Sequence, residues 1–198
     1  MAKFCLPVAA LALTLLGGGV ASAQSTRRAR PAAPQADAPW RRLALLRVVG
    51  SVADVRGDGL AGEAAWSLDI HAGMRLLVPT ATAGRYWSFG ADVGVSTGPR
   101  AGEVPTLWLG GLGVGYGTVW VMALWSPRFV FGEVQGDTAI GVRNTLSACM
   151  FMGLACVDVA HQHIWLERAT QQDIRLSFGI DLGMVAQLLV QFAEARPG

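Results

Sequence analysis

The stretch Asp173 to Val190 reads DIRLSFGIDLGMVAQLLV. From Ile174 onward every second residue is apolar: Ile174, Leu176, Phe178, Ile180, Leu182, Met184, Ala186, Leu188 and Val190. Between them stand Arg175, Ser177, Gly179, Asp181, Gly183, Val185, Gln187 and Leu189, mostly polar or glycine. A period of two belongs to a strand, whose successive side chains point to opposite faces. The same alternation recurs upstream. Trp66, Leu68, Ile70, Ala72, Met74 and Leu76 oppose Ser67, Asp69, His71, Gly73 and Arg75. Trp87, Phe89, Ala91, Val93 and Val95 oppose Tyr86, Ser88, Gly90, Asp92, Gly94 and Ser96. Ile140, Val142, Leu146, Ala148 and Met150 oppose Gly141, Arg143, Thr145, Ser147 and Cys149, with Asn144 a flaw in the apolar face. The apolar faces are nearly unbroken and carry Trp66, Trp87 and Trp165, whereas the polar faces mix glycine and hydroxyls with sparse charges. That pattern is apolar-out and polar-in, the arrangement of a closed barrel whose solvent is lipid.

Turn signals fall at 56–63, 79–85, 97–105, 126–128 (Ser-Pro-Arg), 132–138, 151–155 and 167–173. They divide the chain into strand-length pieces, including a weaker first strand over Leu43–Val55. The run Thr106–Ser126 carries no charge and is long enough for a membrane helix. Its glycines at 110, 111, 113, 115 and 117 oppose that, each costing about 0.8–1.0 kcal/mol in a helix relative to alanine. It reads instead as two strands with a break near Gly115–Thr118. The total is about eight strands.

The chain begins Met-Ala-Lys, continues with an apolar core from Phe4 to Leu16, and reaches Ala21-Ser22-Ala23. This is the form of a secretory signal peptide cut between Ala23 and Gln24. Residues 24–42, rich in Pro, Ala and Arg, read as a linker without a core. The expected organisation is a signal peptide over 1–23, the linker over 24–42, a barrel over 43–192 and a tail over 193–198. Cleavage would remove Lys3, leaving 15 arginines against 14 acidic residues, a net charge of +1. No electrostatic case for a nucleic-acid partner follows.

The chain from about Leu43 to Phe192 resembles the small bacterial outer-membrane β-barrels of the eight-stranded, OmpA/OmpX-like class. The resemblance implies an all-β fold: a single antiparallel up-and-down transmembrane β-barrel. It also implies lipid and the barrel assembly machinery as partners, and a final-strand assembly signal. Asp181, Gly183, Ala186 and Leu188 fit that signal, although Ala193 to Gly198 follow the aromatic Phe192 that would close such a strand.

The strand registers point Asp69, Arg75, Asp92, Arg143, Asp158, Arg175 and Asp181 into the lumen, together with His71. About eight strands leave room only for side chains inside, so these charges are expected to pair as a plug. Cys149 and Cys156 flank a hairpin turn around Gly153, and an even cysteine count in an exported chain predicts a disulfide between them. That pairing also sets Ser147 against Asp158 and Leu146 against Val159. His161 and His163 share a face with Val157, Val159 and Trp165 and have no Asp, Glu or Cys nearby, which places them at a membrane–water boundary. No metal, cofactor or catalytic residue is indicated. The expected function is that of a non-enzymatic outer-membrane barrel, structural or surface-interacting. The alternative is a soluble exported barrel or sandwich that binds a small apolar ligand.

Overall fold

The structure, a computed structural model, describes residues 41–57, 60–98, 106–134 and 136–194. The signal cleavage position, Ala23 and Gln24, lies outside the described residues. Eight strands follow one another: β1 (Arg41–Gly57), β2 (Leu60–Pro79), β3 (Arg85–Thr97), β4 (Thr106–Thr118), β5 (Val121–Val134), β6 (Asp137–Met150), β7 (Ala155–Trp165) and β8 (Thr170–Asp181). Each pairs antiparallel with the next, and β8 pairs with β1, so the sheet closes into an up-and-down barrel. The uncharged run over 106–126 is β4 and the start of β5, with its break at Val119–Trp120.

Following directly opposite residues once around the wall gives Leu45, Gly73, Asp92, Gly111, Arg128, Arg143, Gln162, Asp173 and then Val55. The path returns to β1 ten residues further on, from Leu45 to Val55. A stagger of this size tilts the strands and, with eight of them, leaves an interior that side chains fill.

Two ends can be defined. The entry end holds the start of β1, the end of β8 and the turns 80–84, 119–120 and 151–154. The far end holds the remaining connections: β2 starts at Leu60 after Gly57, β6 at Asp137 after Val134 and β8 at Thr170 after Trp165, while the longer link from Thr97 to Thr106 lies mostly outside the described residues.

The two faces invert the usual order of a water-soluble domain. In β8, Ile174, Leu176 and Phe178 are exposed on the outside, whereas Asp173, Arg175 and Ser177 are buried. Leu176 is 61% exposed and its neighbour Arg175 only 3%. An apolar cluster lies inside toward each end. Leu107, Leu109, Val130, Val134, Ala139 and Ile164 pack toward the far end. Leu77, Met122, Leu124, Cys149 and Cys156 pack toward the entry end.

Three expectations are corrected. The Ser-Pro-Arg turn at 126–128 does not break the chain, and β5 runs straight through it. Pro127 pairs with Asn144 on the β6 side, but the β4–β5 pairing is interrupted between Gly111–Arg128 and Val114–Trp125. Proline has no N–H to give to β4, so the ladder skips Leu112 and Gly113 there while the strand itself continues.

The long strand over 174–190 is the second correction. β8 ends at Asp181, and Leu182–Glu194 form a helix, α1. Asp181 is the reason. Its Oδ1 accepts hydrogen bonds from the N–H groups of Gly183 (2.9 Å) and Met184 (3.2 Å), the geometry of a helix N-cap. It also accepts from Leu46 N (3.2 Å), a β1 donor just beyond the last β1–β8 pair. A side chain at Gly183 would press on Ala44 O at 2.6 Å, so only glycine lets the helix start this close to β1. Gly183, Ala186 and Leu188 are therefore helical, and the strand geometry expected of an assembly signal is absent from them.

The third correction concerns the boundaries. Arg41 and Arg42, assigned to the linker, open β1, and the barrel wall closes at Asp181 rather than at residue 192.

Candidate functional site

The chemistry of this chain is concentrated in a layer of ion pairs across the middle of the lumen, between the two apolar clusters. Arg143 Nη1 binds Asp69 Oδ2 at 2.5 Å, and its Nε donates to Gln162 Oε1 at 2.6 Å. Gln162 Nε2 passes the network on to Asp173 Oδ2 (3.2 Å). Asp173 is held by the guanidinium of Arg175, Nε to Oδ1 at 2.8 Å and Nη2 to Oδ2 at 3.1 Å. Arg175 Nη1 reaches across to Ser67 Oγ (2.8 Å). Arg128 grips Asp92 with both arms of its fork, at 2.8 and 2.9 Å, and gives a third bond to Thr145 Oγ1. Arg47 Nη2 meets both oxygens of Asp158 at 2.8 and 2.7 Å. The two-armed bonds of Arg128 to Asp92 and of Arg175 to Asp173 are the strong and geometrically specific kind.

The fold explains why these residues meet. Asp92, Arg128, Arg143, Gln162 and Asp173 are five of the eight inward residues on the single pairing line traced above. Opposite charges thus gather at one level from strands that are not adjacent, with Gly111 between Asp92 and Arg128 and Gln162 between Arg143 and Asp173, and adjacent inward rows supply Asp69, Asp158 and Arg175. Burying ions is costly, and only near-complete pairing makes it tolerable.

The seven expected lumen charges divide. Asp69 and Arg143 pair with each other. Asp92, Asp158 and Arg175 are in the layer but take partners that the sequence reading missed: Arg128, Arg47 and Asp173. Arg128 was hidden by its place in an apparent turn, and Arg47 by the weak alternation of β1. Asp173 was assigned to the turn before β8. Asp181 is buried but serves the helix cap and the β1 edge. Arg75 lies against Gly153 of the entry-end turn, within electrostatic range of Asp181 and Asp92. His71 is buried with Nδ1 at 3.4 Å from Asp92 Oδ1, a polar contact longer than a well-formed hydrogen bond.

Cys149 and Cys156 are bonded as a disulfide across the β6–β7 ladder, at the pair that the register expected. Ser147 faces Asp158 and Leu146 faces Val159. His161 is exposed on the outer face, and His163 packs its ring at 4.7 Å from Trp165. Among the described residues no group of three or more His, Cys, Asp or Glu is placed to hold a metal ion.

The outer face has its own order. Between Trp87 and Tyr116 at one end and Trp66, Trp108 and Phe131 at the other, its strand residues include no Asp, Glu, Lys or Arg among the described residues. Aromatic contacts ring both ends. Trp87 stacks on Phe89 and meets Tyr116, and Trp120 meets Phe151, at the entry end. Trp108 stacks on Phe131, and His163 meets Trp165, at the far end. Charge returns on the outer face beyond the far girdle, where Arg56 binds Asp54 at 2.7 Å.

The chain has the architecture of a small closed eight-stranded up-and-down barrel with its apolar face outward. Solved structures of similar fold include the crystal structure of Neisserial surface protein A (NspA). It is 13% identical, with a TM-score of 0.35, over 68% of this chain and 96% of that one. Another is Ail, the attachment invasion locus protein of Yersinia pestis, 9% identical with a TM-score of 0.26, over 71% of this chain and 97% of that one. No protein-family model and no curated protein sequence matches.

Proposed function

We propose that this chain is a non-enzymatic β-barrel of a bacterial outer membrane, exported through a signal peptide cut after Ala23, with a structural or surface-interaction role. The observation that carries the proposal is the uncharged, exposed apolar belt closed off by aromatic residues at both ends. In water so large an apolar surface would drive association. In a bilayer it is the required outer wall, and aromatic girdles mark the two interfaces.

The lumen supports a closed barrel rather than a channel. Ion pairs span its middle and apolar clusters cover them on both sides. Among the described residues, two cavities along it are about 10 Å³, beside Ser67 and Arg175, and about 20 Å³, beside Ser88 and Arg128, and a larger one of about 130 Å³ opens at the rim beside Arg56 and His161. The two inner cavities each have room for a single water and not for an apolar ligand, which favours the membrane barrel over a soluble ligand-binding one. The carboxylates of the layer are occupied by guanidinium groups, so none is poised as a general base. Lipid and the barrel assembly machinery are the proposed partners. Recognition of a closing strand would fall to Thr170–Asp181.

Fractionation tests the proposal. The protein is expected in the outer-membrane fraction, resistant to alkaline carbonate and released by detergent. Recovery in the soluble periplasm without detergent would overturn it.

A further inference from the structure

We propose that α1 is an interfacial helix, whose exposed apolar face lies on the acyl chains of the leaflet at the entry end. The inference rests on the lipid-facing reading of the barrel and extends it beyond the strands.

The first support is the way the helix is turned. Gly183 and Met184 are buried, and Val185, Gln187 and Leu188 are half-buried. Leu182, Ala186, Leu189 and Val190 are exposed, Leu189 at 64%. A helix docked on a water-soluble domain buries its apolar stripe and leaves its polar one in solvent; α1 instead leaves a second apolar strip exposed and half-buries the polar Gln187. The second support is its place. α1 packs chiefly against β1, the strand that closes the wall with β8. The third is continuity. Ile180, on the outer face of β8, is followed at once by exposed Leu182, so the apolar belt passes without a break from strand to helix. The Asp181 cap and the close seat of Gly183 on Ala44 fix the direction in which the helix leaves the wall.

The chemistry of the partner follows from composition. Leu182 to Ala193 contain no charged residue. The attraction is therefore apolar and does not depend on anionic headgroups, unlike that of basic amphipathic helices. Uncharged phosphatidylcholine suffices as the test surface.

The test uses the full chain carrying Cys5→Ser, with the Cys149–Cys156 disulfide intact, so that only an introduced cysteine takes a nitroxide label. Labels are placed at Leu189→Cys and Val190→Cys on the helix, at Leu176→Cys on the strand wall and at Thr82→Cys in an exposed turn. In phosphatidylcholine vesicles, the ratio of collisions with oxygen to collisions with a water-soluble nickel chelate is measured at each site. Positions 189 and 190 are expected to exceed position 82 several-fold and to resemble position 176. If 176 is lipid-like while 189 and 190 match 82, the helix lies in water and the inference falls. Shielding of 189 and 190 from both reagents, with spin–spin broadening that disappears on dilution with unlabelled protein, means that a second copy covers the face. That outcome also overturns it. If 176 itself matches 82, the underlying membrane reading fails, and the inference with it.

Discussion

Asp181 joins three structures that would otherwise each lack a partner: the first turn of α1, the terminal ladder donor of β1 and the end of β8. An N-cap carboxylate contributes about 0.5–2 kcal/mol, and here the same oxygen also serves Leu46. Asp181→Ala is expected to destabilise the folded barrel by about 1–2 kcal/mol, read from urea unfolding in lipid vesicles. Asp181→Asn keeps an acceptor at the same position and should recover most of that loss. Equal losses for both variants would mean that the charge, not the cap geometry, matters. Deeper in the lumen the balance differs. Removing Arg143 alone leaves Asp69 buried without its counter-ion. Arg143→Met is therefore expected to cost about 3–5 kcal/mol, with Asp69→Leu added in the same chain restoring much of it. If the double variant is as unstable as the single one, the pair does more than neutralise itself.

At the scale of the element, alternation was a reliable guide wherever a strand has lipid on one side and the lumen on the other. Both environments act on every residue, so the polarity pattern of Trp66–Leu76 and Tyr86–Thr97 could be read directly. It misled in two places. After Asp181 the apolar residues 182, 184, 186, 188 and 190 keep a period of two, but Val185 and Leu189 fill the intervening positions. That run fits a strand or a helix equally well. The deciding signals were polar residues at helical spacing, Gln187, Gln191 and Glu194, and a capping residue in front of them. Pro127 misled in the opposite direction. Its missing N–H matters only on the β4 side, so a residue that reads as a turn is tolerated inside β5. Pro127→Ala would supply that N–H. The new bond is worth about 0.5–1.5 kcal/mol, and losing the proline's restriction of the unfolded chain costs about 0.4–1 kcal/mol. Stability should therefore hardly change. Hydrogen exchange is the sensitive measurement: the amide introduced at 127 should exchange as slowly as that of Phe129. Rapid exchange there would show that the β4–β5 ladder stays open for another reason.

At the scale of the whole molecule, partners on separate strands became legible only through the register. The inward row from Asp92 to Asp173 gathers residues far apart in sequence, and no local pattern announces that they share a level. The environment of the outer wall, by contrast, can be tested with one side chain. Leu146 faces outward in the middle of β6, opposite Trp125 and Val159, and is 62% exposed. If the wall met water, Leu146→Arg would replace an exposed apolar group by a charged one and shift stability by no more than about 0.5 kcal/mol. If it meets the hydrocarbon near its midplane, the same change costs about 2–4 kcal/mol. Thr138→Arg, on the same outward face but at the far rim, should cost only about 0–1 kcal/mol in either case. The difference between these two substitutions, taken from unfolding titrations in the same vesicles, cancels any effect common to an added arginine. A penalty of several kcal/mol confined to Leu146 is the expected result. Equal and small effects at both sites would mean that the belt faces water, and the outer-membrane assignment would have to be abandoned.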